Sequence, residues 1–69
     1  MSDATYRIIE ITGTSPDGVQ HAIDNGIARA SATIRNLDWI EVLNIRGALD
    51  QGSVAHYQVT MKVGFRMED

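Results

Sequence analysis

The chain has no cysteine, one proline and two histidines in 69 residues. Without cysteine it can build neither a disulfide framework nor a thiolate zinc site. The two histidines, His21 and His56, are too few for a His-rich metal cage. No apolar run approaches the ~20 residues of a membrane span. The opening residues, Met1 to Arg7, hold no apolar stretch of the kind a secretory signal needs. A soluble, cytoplasmic protein is therefore expected. Positive charge is also sparse, with six basic against nine acidic residues and a net charge of −3. The basic residues are scattered, whereas a nucleic-acid binder presents a basic stripe.

Length sets the next constraint. A 69-residue chain is one domain, expected over residues 1–69. A domain of this size buries only about 60% of its unfolded surface and is marginal alone. Disulfides and metals being excluded, self-association is the stabiliser left, and a homo-oligomer is expected.

What is present is patterned. Residues 5–12 are rich in β-branched types and read as a strand, with Ile9 and Ile11 on the core face and Tyr6, Ile8, Glu10 and Thr12 opposite. Ser15 as N-cap and Pro16 at the first helical position predict a helix over about 16–36, roughly 30 Å long at ~1.5 Å per residue. Val19, Ala22, Ile23, Ile27, Ala30, Ile34 and Leu37 form its apolar stripe. Gly26 lies on that stripe, which points to close packing against a sheet at a propensity cost of ~1 kcal/mol. Residues 38–48 and 54–66 read as two strands joined by a hairpin turn at Asp50-Gln51-Gly52. In the last strand Ala55, Tyr57, Val59, Met61, Val63 and Phe65 share the core face, and His56, Gln58, Thr60, Lys62 and Arg66 the other.

The strand from 38 to 48 changes phase. Ile40 and Val42 alternate correctly, but the next apolar pair is Leu43 and Ile45. A β-bulge near Leu43–Asn44 resets the pattern. Ile40, Val42 and Ile45 then point inward, and Trp39, Glu41 and Arg46 point outward. The resulting class is α+β, in the order β-α-β-β, with a three-stranded antiparallel sheet in the order 1-3-2 wrapped against one long helix. One helix covers one sheet face, so the other face stays open.

The only tryptophan, Trp39, falls on that open face together with Gln58. An exposed indole offers a flat π surface, and a neighbouring amide offers both a donor and an acceptor. The pair suits a planar heteroaromatic ligand, stacked on its face and read along its edge. Periodicity alone favours the plainer reading, a subunit contact that seals Trp39 in an oligomeric scaffold or adaptor without a small ligand. Arg46 could neutralise a phosphate or join a surface salt bridge. Asn44, at the bulge, could bond a ligand hydroxyl or simply tolerate unusual backbone angles. Neither histidine stands at triad spacing, Asp38 and Glu41 fall on opposite faces, and no metalloprotease or phosphate-loop pattern occurs. Gly13-Thr14-Ser15 lacks the glycine spacing and lysine of a phosphate loop. No enzymatic activity is expected.

Taken together, these segments resemble the dodecin family of small flavin-binding proteins, of bacterial type. The resemblance covers nearly the whole chain: Gly13-Thr14-Ser15, Ala28-Arg29-Ala30, Leu37-Asp38-Trp39-Ile40-Glu41-Val42, Ile45-Arg46-Gly47, Tyr57-Gln58-Val59 and Val63-Gly64-Phe65-Arg66. It implies a hollow homododecamer that holds flavin, FMN or riboflavin, in pairs at two-fold subunit contacts. It gives Trp39 the stacking role and Gln58 the ring edge. Arg46 matches a position that serves the ribityl or phosphate end. Asn44 stands where some relatives carry a carboxylate near the ribityl chain, a departure that bears on the choice of flavin. Coenzyme A is a second ligand of some bacterial relatives. The implied role is flavin storage and photoprotection, with Trp39 quenching the bound ring.

Overall fold

The computed structural model describes residues 3–68; the ends of the expected domain, residues 1, 2 and 69, lie outside them. Strand β1 spans Tyr6–Ser15, helix α1 Val19–Ser31, strand β2 Leu37–Asp50 and strand β3 Ser53–Arg66. All pairings are antiparallel and β3 lies centrally, in the order β1-β3-β2. The α+β class and the strand order are those the alternation predicts.

The helix is shorter than expected. Ser15 does not cap it. Its pairing with Tyr57 keeps it in β1, it is buried, and its Oγ accepts a hydrogen bond from the Asp17 N–H at 3.0 Å. The helix starts only after Gly18, whose φ of 144° lies outside the range favoured by residues with a Cβ. At the other end, the Thr33 and Ile34 N–H groups both fold back onto the Ala30 carbonyl, and Asn36 turns left-handed at φ 66°. Ile34 and Leu37, counted into the stripe, therefore lie beyond the helix, and Leu37 opens β2.

This length governs the packing. Thirteen helical residues span about 20 Å. Each fourteen-residue strand of the hairpin spans about 46 Å. The helix packs on β1 and β3 over a small core of Ala22, Val59, Met61 and Val63, flanked by Ile9, Ile11, Val19, Ile23, Ile27 and Leu37. Close approach is possible because Gly13 of β1 faces Gly26 of α1, as the glycine on the stripe predicts.

Strand β2 lies outside this cover. Ile40, Val42 and Ile45 pair with Val63, Met61 and Val59 and so occupy the inner face, as expected. They are not buried there: Ile45 is 55% exposed, and Leu49 near the hairpin tip 72%. The radius of gyration is 14.3 Å, against about 11 Å for a compact chain of this length. The accessible surface is 5061 Å², where about 4,300 Å² suits a folded monomer of this mass. An isolated chain thus leaves an apolar arm in water.

The hairpin turn is the predicted one. Gln51 and Gly52 have φ of 51° and 80°, the two positive values of a type I′ turn. Three irregularities interrupt the β2–β3 ladder, between Leu37 and Trp39, Val42 and Asn44, and Ala48 and Leu49. The second is the bulge predicted near Leu43–Asn44. The third leaves Ala55 unpaired and exposed, which removes it from the core face assigned to it.

Candidate functional site

Two of these bulges decide which way the site residues point. Leu37 pairs with Phe65 on the inner face, whereas Trp39, two residues on, pairs with Gly64 on the open face. In a regular strand residues two apart share a face. The extra residue, Asp38, rotates the strand and delivers the indole to the open side. The Leu43 bulge does the same for Asn44 and Arg46, which pair with Thr60 and Gln58.

Trp39 is 38% exposed, and its ring lies across Gly64, where a Cβ would run into the indole. The glycine lets the ring lie against the backbone of β3. Tyr6 flanks it at 6.2 Å between ring centroids, tilted by 47°. The Tyr6 hydroxyl donates to Asp38 Oδ2 at 2.7 Å. That hydrogen bond, helped by the nearby Asp38 charge, holds the phenol above its ordinary value, with Arg66 opposing. The folded state binds this proton more tightly, so its contribution to stability is present below pH ~10 and is lost as the pH rises through the folded value. In a Tyr57→Phe background, where Tyr6 is the only tyrosine left, ultraviolet titration is expected to show ionisation above pH ~10. Asp38→Asn should move it back down. An unmoved titration would mean that the Asp38 contact is not made in solution.

Gly64 and Tyr6 complete the aromatic end of the site. Gly64→Ala is expected to lift the indole off β3. The near-ultraviolet circular dichroism of the lone tryptophan should change, with the far-ultraviolet spectrum retained. An unaltered near-ultraviolet spectrum would show that the ring does not rest there.

The remaining residues form a second group. Arg46 Nη2 donates to Asn44 Oδ1 at 3.1 Å, and Arg46 stands opposite Gln58. Gln58 is half-buried, with its Nε2 3.3 Å from His56 Nε2. When the imidazole carries its proton on Nδ1, the amide donates to it and leaves its oxygen free. The Thr12 and Thr60 hydroxyls, 3.0 Å apart, continue this polar row.

Gln58 therefore shares the open face with Trp39 but is not its neighbour. Gly64, which lies under Trp39, is six residues farther along β3, about 20 Å away at ~3.3 Å per residue. One chain brings Asn44, Arg46 and Gln58 together and leaves Trp39 with Tyr6 and Asp38. His21 is elsewhere, in an exposed contact with Asp17 at 3.9 Å, of the kind that contributes ~0–1 kcal/mol.

A sheet half-wrapped on a short helix, with an exposed apolar arm and a divided polar and aromatic face, defines a small α+β module. Comparison with known proteins gives its family. The dodecin family model matches residues 5–68. A dodecin from Thermus thermophilus is 47% identical over 64 residues, covering 93% of each chain. The solved dodecin from Streptomyces davaonensis superposes with a TM-score of 0.94 at 60% identity, covering 99% of this chain and 100% of that one. A more distant relative, the calcium dodecin of Mycobacterium tuberculosis, is 27% identical over 93% of this chain and 90% of its own. The chain belongs to the dodecin family, a family of oligomeric binding proteins rather than enzymes. Among the described residues no helix is long and apolar enough to cross a membrane.

Proposed function

We propose that the protein is a cytoplasmic flavin store, holding riboflavin or FMN in stacked pairs between Trp39 side chains of a homododecamer and damping flavin photochemistry. The observation that carries this reading is the Trp39 indole, held flat across Gly64 on a sheet face that none of the described residues covers. A π face supported by backbone on one side offers the other side to a planar ring. A bound flavin would supply a photoexcitable, redox-active aromatic system. The chain's residues bind it, orient it and keep water from its faces.

The separation of Trp39 from Gln58 gives the assembly its role. No single chain can both stack a tricyclic ring on Trp39 and read that ring's edge with Gln58. Two chains related by a two-fold axis can, each lending its indole to one end and its amide to the other. Arg46 then lies beside Gln58, where a ribityl or phosphate tail would find a cation and the Asn44 carboxamide. The exposed apolar arm supplies surface for the subunit contacts such a site requires.

The test is a titration of the purified protein with riboflavin and FMN, followed by flavin fluorescence. Saturable quenching is expected; emission that stays at the level of free flavin would remove the proposal and leave the oligomeric scaffold. Gln58→Ala is expected to weaken binding by about 1–3 kcal/mol, because a polar ring edge loses its partner. An unchanged affinity would remove Gln58 from the site. Calcium is named for the Mycobacterium tuberculosis relative; among the described residues of this chain no three His, Cys, Asp or Glu side chains cluster.

A further inference from the structure

The Tyr6–Asp38–Trp39 group is more than packing around a ring. A phenol with a 2.7 Å hydrogen bond to a carboxylate stands beside an exposed indole, with 6.2 Å between ring centroids. The residue beneath the indole, Gly64, adds no side chain to the group. Tyr6 itself is 39% exposed. An indole that loses an electron becomes a strong oxidant. A phenol resists giving up an electron because its radical cation is a very strong acid. If the proton leaves along a hydrogen bond as the electron departs, that high-energy species is bypassed.

We propose that Tyr6 and Asp38 form a proton-coupled electron relay that refills Trp39 after its one-electron oxidation. The oxidant is a photoexcited heteroaromatic ring stacked on the indole, or a dissolved one-electron oxidant that reaches it. Only the first choice rests on the flavin reading. The oxidant takes one electron from Trp39. Tyr6 gives one electron to the indole cation and passes its hydroxyl proton to Asp38 Oδ2. Trp39 is restored, Tyr6 is a neutral phenoxyl radical and Asp38 is a carboxylic acid. A soluble thiol or ascorbate-type reductant then supplies an electron at the exposed Tyr6, and Asp38 returns the proton. The relay moves oxidising equivalents off the stacking residue and out to solvent. The raised pKa of Tyr6 fits this role, because the phenol starts protonated.

The test uses the flavin-free assembly and a dissolved ruthenium polypyridyl photo-oxidant with a sacrificial electron acceptor. Flash photolysis is read by transient absorption, and the trapped radical by electron paramagnetic resonance. The indole radical should decay as the phenoxyl signal grows, at the same rate and more slowly in heavy water. Tyr6→Phe should lengthen the indole radical's lifetime by roughly an order of magnitude or more and abolish the phenoxyl signal. Asp38→Asn should slow the transfer with Tyr6 retained, and Tyr57→Phe should leave it unchanged. An indole lifetime unaffected by Tyr6→Phe overturns the relay. So does a phenoxyl signal that forms equally fast in Trp39→Phe, because Tyr6 would then be oxidised directly. With no flavin in the sample, failure here leaves the stacking proposal standing, and failure of the flavin titration leaves the relay standing.

Discussion

In the Trp39→Ala variant, flavin affinity is expected to fall by about 2–4 kcal/mol, roughly 30- to 1000-fold in Kd. The size of the loss follows from the site's construction. Gly64 contributes no side chain, so the indole is all that stands between the β3 backbone and the ligand. Nothing nearby can take its place: Tyr6 is tilted by 47° and is tied to Asp38. In a two-fold site both indoles of a stacked pair are lost at once. Whatever flavin still binds should be brighter, because the nearest electron donor is gone. A Trp39→Ala protein that binds and quenches like the parent would place the flavin elsewhere. Trp39→Phe should be intermediate, since it keeps a smaller ring.

Gly13→Ala is expected to be the most damaging single methyl addition in the chain. A Cβ at Gly13 would overlap the Ala22 carbonyl oxygen and approach the Gly26 Cα at 3.2 Å. Both neighbours are backbone of α1, so relief requires moving the helix off the sheet. Overpacking of this kind costs about 3 kcal/mol or more. Gly26→Ala provides the contrast. Its Cβ would meet the Met61 Cε at 3.2 Å and the Ile11 Cδ1 at 3.4 Å, both ends of flexible side chains, with the Gly13 Cα at 3.3 Å. A gain of ~1 kcal/mol in helix propensity offsets part of that strain. Thermal melts at a fixed protein concentration, which holds any mass-action contribution constant, should show a large drop for Gly13→Ala and a much smaller one for Gly26→Ala. Equal drops would contradict the close approach of α1 to β1.

Much of this architecture is legible in the chain before folding. Alternation assigns the faces of β1 and β3, and Asp50-Gln51-Gly52 gives the turn. The phase break at Leu43 reveals a bulge, because apolar residues on both sides of it mark the change. The Asp38 bulge leaves no such mark. An aspartate at the mouth of a strand reads as the end of a loop, so the device that turns Trp39 outward goes unseen. The helix ends are hidden for a related reason. Ser15-Pro16 has the chemistry of an N-cap, but pairing between Ser15 and Tyr57 wins, and the apolar stripe runs on past the Thr33-Ile34 turn where the backbone has stopped being helical.

The supposed neighbours Trp39 and Gln58 illustrate a general limit. Period-two alternation fixes the face of a residue but carries no information on distance along the strand. Counting back from a two-residue turn sets Trp39 opposite Gly64 rather than Gln58, and Gly64 then stands out as the seat of the indole. Burial of Ile40, Val42 and Ile45 could not be read in the same way. Alternation gives their face, but the helix packs on β1 and β3 and leaves them exposed.

Native mass spectrometry of the protein titrated with FMN tests the central claim most directly, because it reads chain number and ligand number in one spectrum. The account predicts a twelve-chain assembly that gains FMN mass up to one ligand per chain, filling in pairs. A flavin-free assembly at saturating FMN, or monomers that bind FMN singly, would contradict a site completed only when Trp39 of one subunit meets Gln58 of another.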